Sequence, residues 1–296
     1  MYLCVHQEPF GTQNLSRYEK NTYSDGAVRR DDRPLCWTGR NRRLGCGMKA
    51  IVIGATSGIG REVALQLLAG GWTVGAAGRR TAELEALESL APGRVHIATM
   101  DITKDSATAA LDGLLSEMGA PDLLLHVSGV GYQSGPLDEE KELCTVLTNA
   151  GGLVRIMSHF LGYVKAHGDV YTPGHKALVA VVTSIAGTAG LGAAPAYSAT
   201  KRMQSHYVSA LAQFARMEGL PVRFSDIRPG FVATALLADD KRYPMLIPPS
   251  RAARLILRGL RRKRRVITID WRYRILVFFW RLIPRPLWER LTIVRN

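Results

Sequence analysis

The chain has 296 residues, 47% of them hydrophobic, which suits one large α/β domain with a sizeable core and leaves one or two domains open. Its net charge of +14 is uneven: residues 1–240 carry 23 Lys and Arg against 23 Asp and Glu, and residues 241–296 carry 16 against 2. Four cysteines without metal-ligand spacing argue against a disulfide scaffold or a metal site and point to a reducing, cytoplasmic compartment, and no apolar run approaches the roughly 18 residues of a spanning helix.

Residues 1–47 show neither helical nor strand periodicity and are expected to be a disordered extension, or an artefact of an upstream start, because Met48 itself opens "MKAIVIGATSGIG". A targeting segment is the weaker reading, since Glu8, Glu19, Asp25, Asp31 and Asp32 interrupt the basic character. From Met48 onward, apolar strands are predicted at Ala50–Ile53, Thr73–Ala77, Val95–Thr99, Leu123–Val127, Ala177–Thr183, Val222–Ile227 and Val266–Ile269. Helices are predicted between them at Gly60–Ala69, Thr81–Leu90, Ser106–Met118, Glu139–Val164, Ala196–Met217 and Ser250–Arg261. Near-continuous apolar strands separated by helices imply a parallel sheet buried on both faces. The expected fold is a Rossmann-type, doubly wound α/β domain over residues 48–270, followed by a C-terminal extension at residues 271–296.

"GATSGIG" places Gly54, Gly58 and Gly60 after a strand and at the opening of a helix. Such glycines let the backbone approach a pyrophosphate, whose charge the helix N-terminus favours. At the end of the second strand the chain reads "AAGRR", with no carboxylate to hold a ribose diol. Arg79 and Arg80 instead suit a 2′-phosphate, so NADP(H) is expected ahead of NAD(H). Asp101, after the third strand, has two readings: contact with the adenine amino group, or a plain helix N-cap.

Tyr197 and Lys201 stand four residues apart on a predicted helix and so share a face. A tyrosine of ordinary pKa, about 10, is a poor proton carrier at neutral pH, and an adjacent ammonium would favour its phenolate. Ser184, at the carboxyl end of a strand, points to the same crevice.

With the glycine turn, Ser184, Tyr197, Lys201 and "RPGFVAT" at Arg228–Thr234, the chain resembles the short-chain dehydrogenase/reductase family from Met48 to about Ile269. The resemblance implies that Tyr197 is the general acid/base at the substrate oxygen. Lys201 would lower its pKa and hold the nicotinamide ribose, and Ser184 would hydrogen-bond the substrate oxygen. Asn149, in "LTNAGG", matches the family asparagine that positions a proton-relay water. Pro229 and Gly230 match the turn that meets the nicotinamide carboxamide, with the Thr234 hydroxyl near the same group. The resemblance adds Thr56, Ser57, Ile59, Ile102, Gly129 and Val232 as cofactor contacts, and a homo-oligomer. The chain departs from the family's Asn-Asn-Ala-Gly after the fourth strand, where it has His126, Val127, Ser128 and Gly129. His126 is read as a packed strand histidine.

The connection Tyr163–Lys176 looks longer than usual, and the segment after Thr234, "ALLADDKRYPMLIPPS", reads as a lid whose Leu236, Leu237, Met245, Leu246 and Ile247 suit an apolar substrate. Past Ile269, Trp271, Trp280 and Trp288 stand among Arg272, Arg274, Arg281, Arg285 and Arg290, just after the run Arg261–Arg265. Two readings stay open for this tail: docking on an anionic membrane surface, or a helix packed on the domain or a second subunit. A nucleic-acid partner is not expected, because no recognition fold accompanies the charge. The implied reaction is NADP(H)-dependent interconversion of a small-molecule ketone and a secondary alcohol, without a metal. The substrate is either a long-chain keto lipid resembling 3-ketosphinganine or a 3-oxoacyl thioester. The alternative, a non-catalytic dinucleotide-binding regulator or membrane-associated scaffold, has no need of the complete set Asn149, Ser184, Tyr197 and Lys201.

Overall fold

The computed structural model describes residues 47–132, 137–171, 176–237 and 243–291. The expected N-terminal extension therefore lies outside the described residues apart from Gly47. So do residues 172–175 of the long connection, 238–242 of the lid and 292–296 of the tail.

Seven strands make one sheet: β1 (Lys49–Ile53), β2 (Thr73–Gly78), β3 (Val95–Thr99), β4 (Leu123–His126), β5 (Ala177–Val182), β6 (Val222–Pro229) and β7 (Val266–Ile269). Their order is β3-β2-β1-β4-β5-β6-β7, with every neighbouring pair parallel. The chain starts at the centre, winds outward to β3, and returns past β1 to β4. That reversal opens a crevice beyond the carboxyl ends of β1 and β4, where ligands of such sheets bind.

The connecting helices are α1 (Gly58–Ala69), α2 (Thr81–Ser89), α3 (Ser106–Met118), α4 (Glu139–Val146), α5 (Leu153–Ala166), α6 (Pro195–Met217) and α7 (Pro249–Arg261). On one face of the sheet, Val52, Leu125 and Ala180 pack with Val63 and Leu67 of α1 and Ile256 and Leu260 of α7. On the other, Ile53, Leu124 and Val181 pack with Leu114 of α3, Phe160 of α5 and Val208 of α6. Both faces being covered explains why the strands read as apolar runs rather than alternations.

One sequence expectation needs correction. The single helix predicted at Glu139–Val164 is divided: α4 passes into a π-helical segment, Leu147–Gly152, before α5 begins. Asn149 lies inside that widened turn, and a Cβ at Gly152 would come 2.6 Å from Ile102 Cδ1, so the glycine lets the segment close on the loop after β3. The long connection holds a short 3₁₀ turn, Gly168–Val170, and then Tyr171, whose hydroxyl donates to the Pro121 carbonyl at 3.2 Å.

After β7 the tail forms α8 (Trp271–Leu282) and α9 (Arg285–Arg290). Tyr273 and Val277 bury themselves against Ile185, with Phe231, Met245, Leu276 and Trp280 around them. Trp288 Nε1 donates to the Gly190 carbonyl at 2.6 Å. One face of the tail is therefore packed on its own domain.

Candidate active site

The cradle is built from the β1–α1 turn. Gly54 has φ +97, a left-handed conformation that favours glycine, and a Cβ at Gly60 would sit 2.0 Å from the Gly54 carbonyl oxygen. Ser57 caps α1 without a side-chain hydrogen bond, which leaves first-turn amides of the helix to a ligand. Thr56 and Ile59 flank it on the same turn. Arg79 and Arg80 are both exposed at the end of β2, and Arg80 reaches back to Thr56 Oγ1 with Nη2 at 3.0 Å. A close backbone approach and unclaimed amides fit the pyrophosphate of a dinucleotide, with two exposed guanidinium groups at the end of β2 beside it.

The segment Arg228–Thr234 closes the other side of this turn: a Cβ at Gly58 would lie 2.9 Å from Thr234 Cγ2. Pro229 ends β6, Gly230 N donates to the Ile269 carbonyl at 3.1 Å, and Val232 is bridged to Ile247. Asp101 is partly buried after β3, and its Oδ1 accepts from Thr103 N at 3.0 Å and Thr103 Oγ1 at 2.8 Å. It thus closes a local turn, and the N-cap of α3 is Asp105, so the N-cap reading of Asp101 does not hold.

Ser184 follows β5 and caps the short turn Ile185–Thr188, its Oγ accepting from Ala186 N at 3.0 Å. Lys201 Nζ stands 5.6 Å from the centre of the Tyr197 ring and donates to the Val182 carbonyl at 3.1 Å. A Cβ at Gly129 would lie 3.0 Å from Asn149 Oδ1 and 3.4 Å from Lys201 Nζ, and one at Gly131 would enter the Tyr197 ring. Asn149 is fully buried and tied twice to Val130, Nδ2 donating to its carbonyl at 2.7 Å and Oδ1 accepting its amide at 2.8 Å. Ser184, Tyr197, Lys201, Asn149 and Gly129 thus come together beyond the carboxyl ends of β4 and β5.

The electrostatics differ from the sequence expectation in one respect. Burial pushes the Tyr197 hydroxyl above its ordinary value, and the Ser184 hydroxyl, by hydrogen bonding, pulls the other way. At the phenol, burial is the larger influence. Burial also lowers the Lys201 ammonium to about 8, against the attraction of Asp226. His126 is fully buried, and neither ring nitrogen meets a hydrogen-bond partner among the described residues. Burial and the Lys201 charge bring it to about 3, the Ser128 backbone opposing without hydrogen-bond geometry, so the imidazole is neutral. That agrees with a packed strand histidine.

Three residues at this site escape the motif reading. Gln204 joins Lys201 to Asn149, its Oε1 accepting from Nζ at 3.0 Å and its Nε2 donating to the Asn149 carbonyl at 2.7 Å. Its position three residues after Lys201, in the stripe with Tyr197 and Val208, marks it in the sequence as an amide on an inward face. Glu142 accepts from Ala196 N at 2.7 Å at the start of α6, across 54 positions, with no local signal. Tyr273 hydroxyl accepts from Phe231 N at 3.0 Å and donates toward the Pro244 and Met245 carbonyls at 3.0 and 3.1 Å.

Comparison with known proteins gives a consistent picture. The family model described as "short chain dehydrogenase" matches residues 48–243. An uncharacterized oxidoreductase of Myxococcus xanthus is 32% identical over 247 residues, 81% of this chain and 94% of that protein. Among solved structures, a short chain dehydrogenase from Burkholderia cenocepacia in complex with NADP is similar with a TM-score of 0.70 at 21% identity, covering 84% of this chain and 99% of that one. A 3-ketoacyl-(acyl-carrier-protein) reductase from Brucella melitensis complexed with NADH is similar with a TM-score of 0.66 at 24% identity, over 76% and 97%.

Proposed function

The chain belongs to the short-chain dehydrogenase family, as an NAD(P)-dependent oxidoreductase, and from that premise we propose that it reduces an apolar keto substrate to a secondary alcohol with NADPH. The observation that carries the reading is the convergence of Ser184, Tyr197 and Lys201 at the mouth of the glycine cradle. When bound, the cofactor supplies hydride to the carbonyl carbon.

The chain's own residues do the rest. The Tyr197 hydroxyl gives its proton to the substrate oxygen, and a phenol whose pKa is raised by burial is in the protonated state that reduction requires. Ser184 Oγ hydrogen-bonds the same oxygen as charge develops on it. Lys201 presents its ammonium beside the ring and holds the nicotinamide ribose, while Asn149 fixes the loop after β4 through Val130. Pro229, Gly230, Val232 and Thr234 form the wall for the nicotinamide. Arg79 and Arg80 select the 2′-phosphate, and Thr56, Ser57, Ile59, Asp101 and Ile102 line the adenosine and pyrophosphate side.

Leu236 and Leu246, 40% and 37% exposed on the segment after Thr234, suit a keto group on an acyl chain. The tail favours delivery from an anionic membrane surface. Trp271, Ile275, Phe278 and Leu282 recur at helical spacing on the face of α8 turned away from the domain, beside exposed Arg274 and Arg281. Arg272, which falls off this pattern, is held by the buried carboxylate of Asp270 at 3.0 Å. No helix among the described residues is long and apolar enough to cross a membrane. The catalytic unit is expected to be a homo-oligomer.

The test is NADPH oxidation by the purified protein against keto substrates graded from short 3-oxoacyl thioesters to long-chain keto lipids, with Tyr197→Phe as control. Turnover that rises with chain length and vanishes in the variant is the expected result. Turnover that survives Tyr197→Phe would overturn the assignment.

A further inference from the structure

We propose that Gln204 is a positioning residue for this reaction: its side-chain amide fastens the Lys201 ammonium to the Asn149 backbone carbonyl. The inference rests on the catalytic assignment of Lys201, but its geometry stands apart from any substrate.

Gln204 is fully buried on α6, where an unsatisfied amide would be costly, and both ends of its amide are engaged. Oε1 accepts from Lys201 Nζ at 3.0 Å, and Nε2 donates to the Asn149 carbonyl at 2.7 Å. Together with the Val182 carbonyl at 3.1 Å, Gln204 gives the ammonium two neutral oxygen acceptors on its inward side. The remaining donor of the lysine is thereby turned toward Gly129 and the cleft, where a bound ribose hydroxyl would meet it.

One neutral side chain thereby joins the lysine to the Asn149 carbonyl. A primary amide keeps its protons at neutral pH, so Gln204 orients the ammonium without itself passing a proton. The stripe Tyr197, Lys201, Gln204 and Val208 on one helix face produces this arrangement: the helix that presents the acid also carries the group that orients its cationic neighbour.

Several groups face Lys201 and set its titration. They are Tyr197 on its own helix, the neutral His126 on β4 and the Asp226 carboxylate on β6, while β5 offers the Val182 carbonyl and the π-helical segment offers neutral Asn149. Loss of the Gln204 acceptor would further disfavour the buried charge.

The experiment uses the full-length protein with ¹³C-labelled lysine, the Lys201 signal being assigned by its absence in Lys201→Arg. Its titration is followed by NMR in the wild type, Gln204→Met and Gln204→Glu, with thermal melting and NADPH fluorescence as checks on folding. Gln204→Met should lower the Lys201 pKa by about one pH unit, since a hydrogen bond to a charged group is lost. Gln204→Glu, which restores an acceptor and adds charge, should raise it. An unchanged Lys201 titration in a folded Gln204→Met protein would overturn the proposal, and if that variant fails to fold, an unchanged titration in Gln204→Glu would do so. Because these readouts need no substrate, they separate failure of this inference from failure of the keto-reductase reading. In turnover, the alkaline limb of kcat/KM should shift in the same direction as the Lys201 pKa.

Discussion

Helices α6 and α8 break the ordinary inside-outside rule in opposite directions. On α6 an ammonium and an amide, Lys201 and Gln204, are buried, while on α8 Trp271, Phe278 and Phe279 are 63%, 60% and 58% exposed. A buried charge is costly unless paired, and exposed rings in a stripe forgo burial that the domain could have provided. The α6 departure is satisfied within the domain by named hydrogen bonds. Among the described residues no such partner offsets the outward rings of α8, whereas its inward stripe of Tyr273 and Val277 is already occupied.

The largest effect is expected at the chemical end of α6. Replacing Tyr197 with Phe removes the proton donor while keeping the ring beside Lys201, so turnover should fall by about 10²- to 10⁴-fold with NADPH affinity little changed. Parallel measurement of kcat and of NADPH binding by fluorescence checks it. Equal losses in both would make Tyr197 a cofactor-binding residue instead.

Beneath α6 lies a second buried polar group, and it sharpens the contrast through pH. His126 has a folded pKa of about 3 against 6.5 for the free side chain. Its folded value is depressed, so the stability it allows is fully present above pH 6.5 and is lost as pH falls toward 3, because the unfolded chain takes up the proton first. Between pH 6.5 and 5 this should cost about 2 kcal/mol. His126→Asn should flatten that part of the melting-temperature profile, and an unchanged slope would show that other groups govern acid unfolding.

The same logic applies with smaller magnitude at the cofactor mouth. Arg79→Ala combined with Arg80→Ala should weaken NADPH by about tenfold or more while leaving NADH nearly unaffected, since exposed guanidinium groups then lose only the extra phosphate. Equal losses for the two cofactors would reduce these arginines to solvated charges.

Much of α6 and the cradle was legible in the sequence because short-range spacing sets the geometry. Tyr197 and Lys201 are one helical turn apart, and Gly54 and Gly60 meet within one turn of backbone. The sheet was legible for a similar reason: strands covered on both faces write themselves as apolar runs. What escaped depends on long-range contact. The break in the helix near Asn149 follows from the approach of Gly152 to Ile102, and the clamp of Tyr273 on Phe231 and Met245 spans distances that no periodicity encodes. The direction of the Tyr197 shift escaped too, because pairing with a lysine is visible in sequence and the degree of enclosure is not.

The tail carries the smallest and most selective expectation. Phe278→Ser with Phe279→Ser changes two exposed rings that touch each other edge-on at 5.5 Å between centroids. Exposed substitutions of this kind alter stability by less than about 0.5 kcal/mol each, so the melting temperature should scarcely move. Binding to vesicles of phosphatidylglycerol and phosphatidylcholine should nevertheless weaken by about tenfold, because ring insertion is lost while the arginines remain. Vesicle sedimentation together with light scattering decides between the possible covers. Should a second copy cover the stripe, the variant would dissociate an oligomer and leave vesicle binding as it was. Turnover of a soluble short-chain ketone should be unaffected, since α8 reaches the mouth through Tyr273 and Val277 on its opposite face.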